Sequence, residues 1–462
     1  MKYFFETYGC QMNIAESAAV EQLFIARGWE KSESAQIADI VIINTCSVRE
    51  TAENRIFGRL GWFAGLKAVR ACEPGAKHKS LEEAAEYVKD GAKPLTVVVM
   101  GCMAERLLNS LKDDYPCVDY VVGTYAKHHF GNIITAVEQN TISEQLNDTE
   151  TYKFAPLSYE QGSFTAFVPI MHGCNNFCTY CIVPYVRGRE CSRPVDEILK
   201  EIDVLSSYGV KEITLLGQNV NSYKGLNGSS EVDFAELLQI ISDHLRDTKS
   251  SIGWVRFMSS HPKDLSDKVI DVISKEEVLC NHIHLPVQHG STRVLKEMNR
   301  RYTREDYISL VEKIRKVIPE VSLTTDIMMG FPGETEEDVE DTLDLMKVVR
   351  YETAFMYYYN LRDGTPAAKM TNQIPVELKK ERLQRVIDLQ LQITSEEMKK
   401  RIGKTVKVLV ENVSRDDKSE LLGKTEQDER VAFAADKSLI GSFAMVHIDS
   451  LSGNTFRGTL IK

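Results

Sequence analysis

Residues 170–194 read I-M-H-G-C-N-N-F-C-T-Y-C-I-V-P-Y-V-R-G-R-E-C-S-R-P, and the chain is organised around them. Cys174, Cys178 and Cys181 form a C-x3-C-x2-C set, with Tyr180 just before the last thiol. Three thiolates at that spacing on one loop can reach three irons of a [4Fe–4S] cube and leave the fourth without a protein ligand. An open iron lets a cluster bind and reduce a ligand as well as carry an electron. A zinc knuckle is the competing reading. Zinc favours C-x2-C pairs and a fourth protein ligand, and only His172 and Cys191 stand near enough in sequence to supply one.

Outward from this loop, a strand over 164–171 leads in and an alternation of helices and strands leads away. Helical spacing marks 195–207, 234–245, 265–274, 303–317 and 335–349; apolar runs mark strands at 212–216, 254–258, 282–286, 322–328 and 354–359. About six β/α units are too few for a closed eight-fold barrel, so a partial barrel is expected. Its strand ends carry the polar residues, as in barrel enzymes: Gln218 and Asn219, then Ser259, Ser260 and His261, then Gln288, and Asp326 ahead of Gly330 and Gly333. His282 and His284 alternate on one strand and read as packed, hydrogen-bonded histidines. Arg187, Arg189 and Arg193 follow the cysteine loop; they read equally as a solvated surface or as bidentate phosphate contacts.

Before the loop, strands over 2–7, 38–44, 95–100 and 118–122 alternate with helices, the pattern of a doubly wound, flavodoxin-like α/β domain. Cys10, Cys46 and Cys102 each follow a different strand at its carboxyl end, where such sheets bind ligands. Gly9 and Gly101 permit tight turns beside two of them. Convergence of the three would make a second three-thiolate site with an open iron; ordinary buried cysteines are the alternative. The stretch 65–94 is polar, with a short helix expected at 80–89, and reads as a surface insertion.

After the barrel, a long polar helix at 376–401 leads to about five short strands between 404 and 461, expected to form a compact β-barrel. Lys404, Lys407, Lys418 and Lys424 are interleaved with it. The organisation expected is 1–140, a linker 141–160, a core 161–392 and the terminal barrel 393–462.

Composition sets the outer bounds. The chain has 462 residues, enough for several domains, with 43% hydrophobic and 27% charged residues. No apolar run is long enough to span a bilayer, and M-K-Y-F-F-E lacks the features of a signal peptide. Ten cysteines without such a signal point to metal ligation in a reducing cytoplasm. The net charge of −11 argues against a chain coated in nucleic-acid contacts but leaves a local basic surface open.

Taken together, C-N-N-F-C-T-Y-C-I-V-P-Y and T-L-L-G-Q-N-V-N-S-Y resemble the core of the radical S-adenosylmethionine methylthiotransferases. E-T-Y-G-C-Q-M-N, N-T-C-S-V-R-E and M-G-C-M-A-E-R resemble that family's N-terminal domain, and the last third resembles its TRAM domain. N-T-C-S-V-R-E with G-R-L-G-W-F resembles the tRNA-modifying branch, which converts N6-isopentenyladenosine at position 37 of the anticodon stem-loop to its 2-methylthio derivative. The resemblance implies two [4Fe–4S] clusters and S-adenosylmethionine. The cluster on Cys174, Cys178 and Cys181 would bind and cleave S-adenosylmethionine to a 5′-deoxyadenosyl radical. An auxiliary cluster on Cys10, Cys46 and Cys102 would carry the sulfur. Tyr180, Gln218, Asn219, Ser259, Gln288 and Asp326 are the candidates for holding S-adenosylmethionine, and Arg187, Arg189 and Arg193 for holding RNA. The expected partners are tRNA and an electron donor such as a flavodoxin or ferredoxin, with no membrane and a monomeric state.

The chain departs from the usual family pattern in its 65–94 insertion, in N-L-R-D-G-T-P at 360–366 where S-x-R-P-G-T-P is usual, and in His289 where a serine is common. Sister activities on threonylcarbamoyladenosine or on a ribosomal-protein aspartate remain alternatives. So does a non-catalytic iron–sulfur protein that binds RNA or senses redox state.

Overall fold

The computed structural model describes residues 1–47, 50–76, 87–89, 91–143, 151–415 and 417–461. They form two compact units, Met1–Cys174 with Ile182–Cys191, and Asn175–Cys181 with Ser192–Lys462.

The first unit is built on a five-stranded parallel sheet. Its strands are β1 (Lys2–Thr7), β2 (Glu30–Lys31), β3 (Ile40–Thr45), β4 (Thr96–Gly101) and β5 (Tyr120–Val122). They lie in the order β2-β1-β3-β4-β5, with every neighbouring pair parallel. This is the flavodoxin-like order, with its switch point between β1 and β3. The two-residue β2 carried no strand signal in the sequence, because both its side chains are exposed.

The period-two alternation of the central strands divides their side chains between two cores. Val41, Ile43, Val97 and Val99 face Ile56, Leu60, Phe63 and Leu66 of helix α2 (Glu50–Arg70). Ile40, Ile42, Val98 and Met100 face Val20 and Phe24, which lie on helix α1 (Gln11–Ala26), and the helix Phe130–Glu138. Helices on both faces explain why β3 reads as an unbroken apolar run. Most of the helix expected at 80–89 lies outside the described residues, as do 144–150 of the expected linker. The end of that linker is packed: Ser158 and Tyr159 are buried, and the Tyr159 carbonyl accepts a hydrogen bond from Gln22 Nε2 at 2.6 Å.

The second unit holds the parallel strands Glu212–Leu216 and Trp254–Phe257, and the parallel set His282–His284, Ser322–Met329 and Thr353–Tyr358. A bridge between Val255 and Leu279 joins the two sets. The intervening helices start where the sequence caps them. Asp233 with Glu236, Thr303 with Asp306, and Thr335 with Asp338 each form a reciprocal capping box. The sixth expected strand, Thr165–Pro169, belongs to the first unit. An antiparallel hairpin, Lys224–Asn227 with Ser230–Asp233, was not expected from the sequence.

The helix Val376–Lys399 leads to a closed five-stranded barrel of Thr405–Val413, Glu420–Thr425, Arg430–Ala434, Phe443–Ser452 and Thr455–Leu460. This barrel docks against the starts of the core strands. Arg256 donates to Glu212 Oε2 at 2.9 Å, to the Thr425 carbonyl at 2.7 Å and to the Glu426 carbonyl at 2.6 Å, while Lys424 Nζ donates to Glu212 Oε1 at 2.6 Å. Trp254 meets Phe443 edge-on beside them. Among the described residues no helix is long and apolar enough to cross a membrane.

Candidate functional site

The ends of β1, β3 and β4 are fastened to one another by Asn13, Asn44 and Thr45. Cys10 is the N-cap of α1, and Asn13, three residues on, accepts from the Cys10 backbone N–H at 3.2 Å and lies 3.3 Å from its thiol. Asn13 Nδ2 donates to Asn44 Oδ1 at 2.8 Å and to the Thr45 carbonyl at 3.1 Å. Asn44 Nδ2 returns a bond to the Asn13 carbonyl at 2.8 Å and another to Ser17 Oγ at 3.0 Å. Thr45 Oγ1 donates to the Met100 carbonyl at 2.5 Å, so the loop bearing Cys46 is tied to the strand leading to Cys102. The loop glycines are required. A Cβ at Gly101, where φ is +96°, would stand 2.5 Å from Asn44 Oδ1 and from the Thr45 carbonyl. One at Gly9 would overlap the Asn13 amide and stand 3.0 Å from Cys46 Cβ.

Cys10, Cys46 and Cys102 thus gather at one rim, flanking the switch point. Cys46 and Cys102 are buried and Cys10 is exposed. Burial pushes the Cys102 thiol up to about 12; Arg187 opposes this, and Glu16, Cys46 and Cys10 add to it. A thiol in that environment becomes a good ligand once a cation takes the charge. Among the described residues no three His, Cys, Asp or Glu side chains close on a point as a single-ion site does. A cube spreads its thiolates over separate irons, so such crowding is not needed for it.

Behind this rim lies a buried ion cluster. Arg187 donates to Glu16 Oε1 at 2.7 Å and to Oε2 at 3.3 Å, and Lys127 Nζ to Oε1 at 2.5 Å. Burial disfavours the Glu16 carboxylate, but the two cations outweigh it and hold its pKa down to about 2. His172 is buried beside them, stacked on Tyr152 at 3.6 Å; burial, then Arg187 and Lys127, keep it neutral.

This corrects the expectation for the three arginines. Arg187 is 2% exposed and committed to Glu16, and Arg193 is 1% exposed and paired with Glu201, itself fully buried. A buried guanidinium with a carboxylate partner is not offered to phosphate. Arg189 alone of the three is exposed.

The cysteine loop is fastened within each unit. In the first, the Cys174 N–H donates to the Gly188 carbonyl at 3.1 Å. A Cβ on Gly173, where φ is +80°, would collide with the Arg189 carbonyl. In the second, the Cys181 N–H donates to the Cys178 carbonyl at 2.9 Å, and Asn299 Nδ2 donates to the carbonyls of Asn176 at 3.1 Å and Phe177 at 3.0 Å. Thr179 donates through its N–H to the Met298 carbonyl and through its hydroxyl to that of Glu297. Arg300 Nη1 lies 3.6 Å from Cys178 Sγ. Asn299 and Arg300 stand more than a hundred residues from the cysteines, and no sequence spacing points to them.

The strand ends of the second unit hold polar atoms that lack partners. Asn219 Nδ2 donates to Asp264 at 2.8 Å, while Asn219 Oδ1, Ser260 Oγ and His261 Nε2 are buried and unsatisfied. Buried polar atoms are normally bonded, so a group of them at the ends of two neighbouring strands fits a polar ligand. His261 is neutral, burial driving its pKa down to about 2. Ser259 (φ +68°) and Gln288 (φ +71°) both adopt left-handed backbone, a conformation concentrated at functional sites. Gln288 N–H donates to the Asp326 carbonyl at 2.9 Å, and its side chain accepts from Tyr357 at 2.7 Å. Gln218 is half-buried beside Asn219, and Tyr180 packs with Met328 and Tyr359. Ser260 and His261 belong with these residues; their position in M-S-S-H-P at a strand end was the available signal.

His289 is fully buried. Its Nε2 lies 3.1 Å from Glu334 Oε2, which also accepts from the Gly330 N–H at 2.7 Å. Its Nδ1 accepts from the Ser291 N–H at 3.1 Å. The departure from the usual serine is thus met by core hydrogen bonding.

Three stretches match known families: residues 2–123 an uncharacterized protein family, UPF0004; residues 168–346 the radical SAM superfamily; and residues 399–461 the TRAM domain. The whole chain is 51% identical to the whole of a tRNA-2-methylthio-N(6)-dimethylallyladenosine synthase of Treponema denticola. It is 43% identical, over 98% of this chain and 95% of the relative, to the protein of the same name from Clostridium botulinum. Among solved structures, the radical S-adenosylmethionine methyltransferase TsrM of Kitasatospora setae aligns over 79% of this chain and 75% of its own, with a TM-score of 0.55 at 14% identity. That likeness concerns the fold alone.

Proposed function

The chain belongs to the tRNA-2-methylthio-N(6)-dimethylallyladenosine synthases, and we propose from this membership and from the site how its residues divide the work. The enzyme is a radical SAM methylthiotransferase that places a methylthio group on N6-dimethylallyladenosine at position 37 of tRNA. The observation that carries the division is the gathering of Cys10, Cys46 and Cys102 at one rim, apart in sequence from the C-x3-C-x2-C loop.

Cys174, Cys178 and Cys181 would hold one [4Fe–4S] cluster, and Cys10, Cys46 and Cys102 a second. When bound, these groups supply the radical hydrogen abstraction and the sulfur that an inert aromatic C–H requires. The chain's own residues bind and orient. Asn219, Ser260 and His261 offer unsatisfied polar atoms to S-adenosylmethionine, with Gln218, Ser259, Gln288, Asp326 and Tyr180 around it. Arg300, whose Nη1 lies beside Cys178 Sγ, places a positive charge next to a cluster ligand. The Asn13–Asn44 clamp fixes the loops of Cys10 and Cys46 in register, as a partly exposed cluster site demands. Electrons come from a one-electron donor such as a flavodoxin or ferredoxin.

The test is the nucleoside profile of tRNA from a deletion strain, read by mass spectrometry. Loss of the 2-methylthio derivative with accumulation of unmodified N6-dimethylallyladenosine is expected. Its persistence, with another methylthio modification lost instead, would overturn the substrate assignment.

A further inference from the structure

His282 and His284 alternate on one strand and so share a face, in register with Ser322 and Thr324 of the next. Thr324 Oγ1 stands 3.1 Å from His282 Nε2 and 3.0 Å from His284 Nδ1, and His284 Nε2 stands 3.7 Å from Asp326 Oδ1. A hydroxyl has one proton to give, and a neutral imidazole has one donor and one acceptor nitrogen. With the His284 proton placed on Nε2, the side that faces Asp326 Oδ1, Nδ1 accepts the Thr324 hydroxyl. The Thr324 oxygen then accepts from His282 Nε2–H. What remains is His282 Nδ1, a lone-pair acceptor. It is buried, has no partner, and belongs to a residue 5% exposed.

His282 lines a cavity of about 350 Å³ between the core strands and the C-terminal barrel, within the size range of small-molecule sites. Beside several neutral polar side chains, three of the four charged residues that line the cavity are acidic. Glu352 stands at the foot of its strand, and Asp428 and Glu429 come from the hairpin turn of the barrel; Arg430 is the one basic side chain among the lining residues. Glu352 accepts one bond, from the Leu323 N–H at 2.8 Å, and burial pushes its pKa up to about 7. Burial raises Glu429 as well, with Arg401 opposing from 3.5 Å. Arg315 and Arg401 act on Glu352, and Arg401 and Lys404 on Glu429, without outweighing that burial. Phe355 supplies an apolar wall.

An acceptor nitrogen, buried carboxyls whose nearby cations do not outweigh desolvation and an apolar side together select a ligand with N–H donors, positive charge and a short hydrocarbon body. We propose that this cavity binds a small protonated amine, its ammonium on Glu352 and Glu429 and one N–H donated to His282 Nδ1. The site stands independently of the methylthiolation chemistry. The file His282–Thr324–His284 joins it to Asp326.

The test is calorimetric titration of the full-length, cluster-loaded protein with putrescine, and with butane-1,4-diol as the uncharged analogue. Saturable binding of putrescine is expected, at least about tenfold tighter than the diol, since tenfold corresponds to about 1.4 kcal/mol, the scale of one charge-assisted hydrogen bond. Glu429→Gln should weaken it about tenfold. Asn454→Lys, at an exposed position on the cavity lining, tethers an ammonium at the mouth without disturbing the core, and should suppress binding. Absence of saturable putrescine binding, equal binding of the diol, or unchanged binding in the Asn454→Lys protein overturns the proposal; if Glu429→Gln fails to fold, Asn454→Lys decides.

Discussion

Arg187 reaches back to Glu16 on helix α1 with Nη1 and Nη2, at 2.7 and 3.3 Å, and neither residue is more than 4% exposed. An arginine that the sequence offered to RNA is instead the charge partner of a carboxylate beneath the Cys102 rim.

The pair makes stability depend on acid. Glu16 has a folded pKa of about 2 against an ordinary 4.5, so its contribution is complete above 4.5 and is lost as pH falls from there toward 2. Thermal unfolding across that range should therefore show a steeper acid slope in wild type than in Glu16→Gln. Glu16→Ala at neutral pH should cost about 3–5 kcal/mol, because two cations are left buried without their partner. A variant matching wild type would show the pair to be inconsequential.

Cys46→Ala should retain reductive cleavage of S-adenosylmethionine and lose methylthio transfer. The measurement is 5′-deoxyadenosine release alongside nucleoside analysis. Loss of cleavage with the loop cluster still spectroscopically intact contradicts the division of roles between the two triads.

Arg256→Lys should loosen the C-terminal barrel. Lysine cannot reach Glu212 and the two carbonyls of Thr425 and Glu426 together, so at least one buried acceptor loses its donor, at a cost of about 1–3 kcal/mol. Hydrogen exchange should rise in the strands 420–425 and 430–434 before it rises in the core strands. Unchanged protection there would mean that the Trp254–Phe443 contact suffices.

Arg189→Ala should weaken tRNA binding and lower the salt dependence by about one phosphate contact. Arg193→Lys, inside the protein, should leave the salt slope where it is. Binding isotherms at several salt concentrations separate the two, and equal slopes for wild type and Arg189→Ala would remove Arg189 from the RNA surface.

His289→Ser restores the residue common in the family but leaves Glu334 short of one buried partner. A stability loss of about 1–3 kcal/mol is expected, with the modified nucleoside unchanged. A changed substrate preference would place His289 in recognition after all.

Much of the architecture was legible in the residues because it depends on local pattern. The strand Glu212–Leu216 and the helix Val195–Ser207 fall where periodicity placed them, since burial of one face writes itself into spacing. The two-residue β2, the exposed hairpin at 224–233 and the packed segment around Tyr159 were not legible. The first two bury too little to pattern the sequence, and the third is held by partners distant along the chain, such as Gln22 at the Tyr159 carbonyl.

The sequence by itself determined the family, the two sets of three cysteines and the strand ends that carry the polar residues. These are properties of residue type and spacing along one chain. Only the tertiary structure decided which groups face one another: Asn13 with Asn44, Arg300 with Cys178, and His282 toward a cavity. It also decided which arginines are spent inside. A charge's role depends on whether a carboxylate reaches it before solvent or phosphate does, and the carboxylate of Glu16 lies 171 residues away along the chain from the guanidinium it holds.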